Sequence, residues 1–201
     1  MQAPPTKLDV ARRQLGTALA LFLEDSDPVS VHVLACGGGE IAEQLAEAEG
    51  GAPFRSHLLA NNPSLDAKKL REIRNRHWNA FKHATKHNGR PREDGELIAA
   101  FSDSANDHHL FIGWYDYGTA AGRLPIEAQA FQVWYLALYP EKQSPHPDHA
   151  HCTALFPNLP RMSRPQQKAR LRDEIAKARS LPDVMFDPLT ERGYLILSGF
   201  P

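Results

Sequence analysis

The densest chemistry in the sequence lies between Lys68 and Arg92, where nine Lys or Arg residues and a single acid, Glu72, are joined by His77, His83 and His87. The whole chain is nearly neutral, with 23 basic against 24 acidic residues in 201, so the imbalance is local. A phosphate-bearing ligand would be drawn to such a stretch. The plainer alternative is a solvated helix whose charges are met by acids elsewhere, such as Glu40, Glu43, Glu47 and Glu49. On a wheel of ~100° per residue, Leu70, Ile73, His77, Ala80, Phe81 and Ala84 share one arc, the side that must face a core. Arg76 and His83 fall within ~20° of each other at its edge, with His87 a turn beyond and Glu72 and Asn79 close behind. A histidine titrating near neutrality can move a proton to or from a ribose hydroxyl or a leaving oxygen. An arginine fork can stabilise charge growing on phosphate oxygens, and an amide can hold the histidine tautomer or an oxygen. That equipment suits metal-independent phosphodiester cleavage. Arg76, Asn79 and His83 are the catalytic candidates, and Lys82, Lys86, His87 and Arg90 the residues that would track an RNA backbone. His77, among apolar neighbours, reads as a hydrogen-bonded core histidine.

A second cluster, His146-Pro147-Asp148-His149-Ala150-His151-Cys152, offers ligands for zinc or another transition metal, with an ordinary proline-rich loop as the alternative. Its first five residues resemble part of the metallo-β-lactamase motif. That motif needs a further histidine where Ser144 stands and ligands downstream, and no histidine follows His151, so the family is excluded. Asp103, Asp107, His108, His109 and Asp116 would suit a metal-binding helix, but nothing on another helix pairs with them. Cys36, with no assigned histidine, reads as a small buried residue. The aromatics Phe111, Trp114, Tyr115, Phe131, Trp134 and Tyr135 read as core and interface. No phosphate loop or GxSxG elbow is present, and neither metal nor cofactor is called for.

The elements that must position these groups read as helices. Leu8, Ala11, Leu15, Ala18, Leu19 and Phe22 mark one helical face over 8–23. Asp27-Pro28 starts a second helix running to about Glu49, with Asp27 as N-cap. Gly37 to Gly39 inside it cost about 1 kcal/mol each relative to alanine, and imply either a bend or a close helix crossing. Asn62-Pro63 opens a third helix that Asn88-Gly89 and Pro91 close. Residues 96–101 are short enough to be extended. Ser104 and Asp107 suggest a capping box for a helix to about Tyr117, and a fifth runs from Pro125 to Tyr139. A last, highly charged helix, 164–179, would dock on the body rather than organise it.

Nine of the sixteen prolines lie in the 62 residues from Pro140 onward. The expectation is therefore an all-α protein: an antiparallel bundle of about five helices over 1–140, then a proline-rich C-terminal appendage, 141–201, with one short helix. The longest apolar run, Ala18 to Leu23, has six residues, well short of the ~18 of a membrane span. The first residues lack a signal-peptide pattern. Two cysteines without a CxxC fit a reducing cytoplasm.

Asn79-Ala80-Phe81-Lys82-His83-Ala84 resembles the Asn-Phe-Phe-Lys-His-Ala block of small bacterial proteins related to the HEPN superfamily. Asp27 to Ala35, followed by Glu40-Ile41 and Leu45, is similar to the preceding helix of such proteins, and Phe131 to Pro140 to a downstream aromatic helix. The resemblance spans roughly 8–140. It implies a helical bundle, commonly a homodimer, often in a defence or toxin–antitoxin system with an antitoxin or other protein partner. Active members are metal-independent RNases acting on single-stranded RNA through an arginine and a histidine with four to six residues between them, and Arg76 and His83, with six between them, fit the outer limit. Trp78 stands where an arginine usually precedes the asparagine, and many relatives keep the bundle without the reaction. A catalytically silent interaction or dimerisation module is therefore the alternative that the resemblance carries.

Overall fold

The structure, a computed structural model, describes residues 4–142 and 148–198. Among them the chain is mostly helical, with two short strands. The first helix, α1 (Lys7–Leu23), begins at a capping box: the Thr6 hydroxyl accepts from the Asp9 amide, and the Asp9 carboxylate accepts from the Thr6 amide at 2.7 Å. The second, α2 (Pro28–Ala48), starts as its sequence dictates, with the Asp27 carboxylate accepting from the Ser30 amide at 2.9 Å and proline in the first turn.

The three glycines of α2 lie inside one unbroken helix, and they let it approach its neighbours. A Cβ at Gly38 would lie 2.9 Å from Leu15 Cγ and 3.1 Å from the Ala11 carbonyl oxygen of α1. One at Gly39 would lie 3.4 Å from the Cα of Gly113, on a later helix. The close-crossing alternative is the one that forms.

Between residues 54 and 99 the helices are short: α3 (Phe54–Asn61), α4 (Ala67–Arg74), α5 (Arg76–Lys82) and α6 (Gly95–Ala99). The expected third helix is thus two pieces separated at Asn75, and it ends at Lys82, six residues early. Residues expected as extended around 96–101 form α6.

Then follow α7 (Ala105–Ala121), closed by Gly122 at φ 70°, and α8 (Ile126–Leu138). Ser104 precedes α7 without a side-chain cap: its backbone is already helical, its hydroxyl meets that of Ser102 at 3.0 Å, and the Asp107 carboxylate is engaged by Arg164. After Pro140, where one short helix was expected, the described residues form α9 (Asp148–Leu155), α10 (Arg164–Arg179) and α11 (Pro182–Met185).

Helices α1, α2 and α7 pack on one another, and α8 and α10 pack together. The apolar face of α1 is buried as its spacing predicts: Ala11, Leu15, Ala18, Leu19 and Phe22 are all fully covered. The rings of Phe22, Phe131 and Trp134 meet at 5.4–5.8 Å, and each large side chain so buried contributes roughly 1.5–3 kcal/mol. Phe156, Leu159, Leu171, Ile175 and Leu195 join the same core, so residues after Pro140 help to build it.

Polar contacts tie this later segment down. The Arg164 guanidinium straddles Asp107, reaching its carboxylate at 2.5 and 2.9 Å, and reaches Asp103 at 2.7 Å. Near the end of the chain, β1 (Leu124–Pro125) pairs in parallel with β2 (Thr190–Glu191). There the buried Arg12 donates to Glu191 at 2.7 Å and to the Leu195 carbonyl at 2.9 Å. No helix among the described residues is long and apolar enough to cross a membrane.

Candidate functional site

The basic stretch occupies α4, α5 and the turn beyond. Asp66 caps α4 by accepting from the Lys69 amide at 2.7 Å. At the far end of α5, His83 takes an extended backbone, φ −125° and ψ 113°. The chain then doubles back: the Lys86 amide donates to the Arg90 carbonyl at 2.8 Å, the Arg92 amide donates to the Ala84 carbonyl at 3.1 Å, and Gly89 turns at φ 77°. Lys86 and Arg90 therefore face each other across a tight turn with His87 near its tip.

Arg76 and Asn79 share a face of α5, but His83 and His87 have left the helix, so the wheel that aligned Arg76 with His83 no longer relates them. Arg76, Lys82, His83, Lys86, His87 and Arg90 are exposed and Asn79 is half-buried. The side chains of Arg76, Asn79 and His83 make no hydrogen bond or ion pair among the described residues. His77, half-buried rather than in the core, sits against His32, Phe81 and Phe101 at 5.2–6.2 Å, with its pKa lowered by burial and by Arg76.

Of the balancing acids, Glu43 accepts from Arg74 at 2.6 Å and Arg55 at 2.7 Å, and Glu47 pairs with Arg55. Burial opposes the charge on Glu43, but the two arginines outweigh it and hold the pKa below the usual value. Arg92 pairs with Asp94. Lys68, Lys69, Arg71, Arg76, Lys82, Lys86 and Arg90 remain exposed and beyond ion-pair distance of any described carboxylate. Lys82 Nζ lies 3.6 Å above the ring of Trp78.

Beneath this stretch is a cavity of about 400 Å³ between α2, α4, α5 and α7, with Glu40, Glu43, Arg71, Arg74 and Trp78 in its walls. Cys36 and His109 line its inner end. The Cys36 Sγ lies 3.4 Å from His109 Nδ1, and one donor atom each from His32, Cys36 and His109 lie within 4.8 Å of one another.

The tautomer of His32 is fixed by its neighbour. Asn106 donates its amide nitrogen to the Pro28 carbonyl at 3.0 Å, so its oxygen must face His32 Nδ1 at 2.9 Å, and Nδ1 carries the proton. The lone pair is then on Nε2, which is buried without a partner. Burial holds all three groups neutral: it pushes the Cys36 thiol up to about 12 and the imidazoles of His32 and His109 down to about 4 and about 3. A thiolate–imidazolium nucleophile is therefore not formed. What the arrangement presents is three soft or borderline lone-pair donors, the kind that hold a transition metal.

Sequence reasoning missed this cluster, since it read Cys36 as a small buried residue and found no partner for His109. The available signal was the four-residue spacing of His32 and Cys36 on one helical face beside glycines that allow a close crossing. The other acids and histidine singled out around His109 have structural partners: Asp103 and Asp107 hold Arg164, His108 meets the Tyr135 hydroxyl at 2.9 Å, and Asp116 accepts from the Phe54 amide at 2.7 Å. Of the tail histidines, His146 and the side chain of His149 lie outside the described residues, and His151 is exposed on α9. No protein-family model, curated protein or solved structure matches this chain.

Proposed function

We propose that this chain is a HEPN-like cytoplasmic protein of an antiparallel helical-bundle type that binds single-stranded RNA along residues 68–90. The observation that carries this reading is the set of seven exposed cations that no described carboxylate meets at ion-pair distance. Phosphates are the ligands that such a surface lacks, and they displace counterions from it on binding. Trp78, half-buried with Lys82 over one face of its ring, adds an aromatic group of the kind on which the unstacked bases of single strands settle. A duplex, whose bases are already stacked, would not use it.

The geometry favours binding over cleavage. His83 lies outside the helix that carries Arg76 and Asn79, and the histidine that does feel the Arg76 charge, His77, is packed against His32, Phe81 and Phe101. An RNA-binding role without cleavage is therefore preferred to a nuclease, with the catalytically silent protein-interaction or dimerisation module as the alternative. In a defence or toxin–antitoxin setting a homodimer, an antitoxin or another partner would then act through the bound RNA.

The test is titration of the purified protein onto a labelled uridine-rich 20-mer RNA in EDTA over a range of salt. Salt-dependent binding that is lost in a Lys82→Glu/Lys86→Glu/Arg90→Glu variant, without cleavage, is the expected result. Equal binding by the variant would refute the site. Cleavage by the wild type that a folded Arg76→Ala/His83→Ala variant lacks would reinstate catalysis.

A further inference from the structure

We infer that His32, Cys36 and His109 form a zinc site at the inner end of the cavity, independent of any role in RNA binding. Three observations converge on it. The first is reach: the three donor atoms already lie within 4.8 Å of one another. Zn–S near 2.3 Å and Zn–N near 2.0–2.1 Å at a tetrahedral angle place sulfur and nitrogen roughly 3.6 Å apart, and Cys36 Sγ and His109 Nδ1 stand 3.4 Å apart.

The second is preparation. His32 is wholly buried, and its Nε2 lone pair has no partner, a position that costs free energy unless something accepts the electron pair. The Asn106 contact to Nδ1 is the outer hydrogen bond that metal-bound histidines carry, fixing tautomer and ring orientation before any ion arrives. Asn106 is itself anchored on the Pro28 carbonyl at the start of α2.

The third is access. Cys36 and His109 line the cavity, so an ion on them borders its space, and a water or ligand there can complete the coordination. Glu40, one turn beyond Cys36 on α2, brings a carboxylate to the same cavity wall. Imidazole with thiolate selects zinc or copper over the oxygen-seeking ions, and zinc needs no change of oxidation state. Binding exchanges the Cys36 S–H bond for an S–Zn bond and releases one proton to solvent, with no electrons transferred.

The probe is the metal alone. Untagged protein stripped with a chelator is titrated with zinc against a chromophoric competitor, and separately with cobalt(II) while absorbance is followed. Tight uptake of one equivalent, with a thiolate-to-cobalt band in the near ultraviolet, is the expected result. Cys36→Ser should remove that band. Cys36→Ser and His109→Gln should each weaken zinc by more than the roughly 10–100-fold that loss of an outer partner costs. Combined replacement of His146, His149 and His151 by alanine should leave the equivalent in place. The wild-type cobalt spectrum needs no variant to fold, and absence of the thiolate band there overturns the site. Retention of tight zinc by folded Cys36→Ser, or its loss from the tail variant, overturns it equally.

Discussion

Gly39 of α2 and Gly113 of α7 face each other across a helix crossing so close that a Cβ at Gly39 would lie 3.4 Å from the Gly113 Cα. Each lies one turn beyond a side chain of the donor cluster: Cys36 precedes Gly39 by three residues, and His109 precedes Gly113 by four. Near-contact of the two backbones is what lets a short cysteine side chain reach an imidazole on the neighbouring helix at 3.4 Å. The helix-breaking cost of the glycines and the position of the donor cluster therefore have one cause.

That account predicts opposite signs for neighbouring alanines. Gly37→Ala adds a methyl that meets only the flexible end of Gln14, at 3.0 Å, and should stabilise by about 0.5–1 kcal/mol through helix propensity. Gly38→Ala drives its methyl toward Leu15 Cγ and the Ala11 carbonyl, and the overpacking, roughly 1–3 kcal/mol, outweighs the same propensity gain. Urea midpoints of the two variants decide the matter; both rising together would sink the close-crossing explanation.

Arg164 holds the later helices to the body through Asp107, whose side chain has no exposure. Removal of the guanidinium leaves a buried carboxylate with no counter-charge and only the Tyr139 hydroxyl as partner, so Arg164→Ala should cost about 3–5 kcal/mol. Arg164→Lys should recover only part, because an ammonium cannot fork across both carboxylate oxygens and reach Asp103 as well. Chemical unfolding of both variants measures this. A loss below about 1 kcal/mol for alanine would make α10 an ornament on the fold rather than part of it.

What was legible in the sequence was local. The face of α1, the Asp27-Pro28 start of α2 and the Arg164–Arg179 helix follow from spacing and caps that act within a few residues. The third helix was overextended because the wheel rewards every apolar residue in phase, and it does not register the turn at Asn75 or the extended His83. Asp107 was assigned to a helix cap, but tertiary pairing with Arg164, 57 residues away, took it instead. The third member of the donor cluster was missed for the same reason. His109 finds Cys36 73 residues off in the chain, and only the glycine crossing brings them together.

RNA bound along residues 68–90 should show its phosphate contacts as a salt slope. For single strands each neutralised phosphate contributes about 0.7 to the fall of log K with log salt. Lys86→Ala and Arg90→Ala, facing each other across the turn, should each lower the slope by about that amount, and Trp78→Ala should weaken binding while leaving the slope in place. An unchanged slope in both charge variants would place the RNA elsewhere.

Asp116 gives the stability a pH dependence of known sign. Its carboxyl is fully buried, one oxygen accepts from the Phe54 amide and the other has no partner. Burial lifts its pKa from 3.8 to about 6, with Glu43 adding to the rise and the Phe54 amide, Arg74 and Arg55 opposing it. Between those two values the folded chain keeps a proton that the unfolded chain has lost, so stability falls as pH rises from about 4 to about 6 and stays low above that. At about 1.4 kcal/mol per unit, the loss attributable to this group is on the order of 3 kcal/mol. Asp116→Asn retains an oxygen for the Phe54 amide and cannot ionise. The difference in unfolding free energy between variant and wild type should therefore shift toward the variant by that amount from pH 4 to pH 7. Urea unfolding across this range tests it, and parallel curves would mean that Asp116 is ionised, with a partner for its second oxygen, throughout.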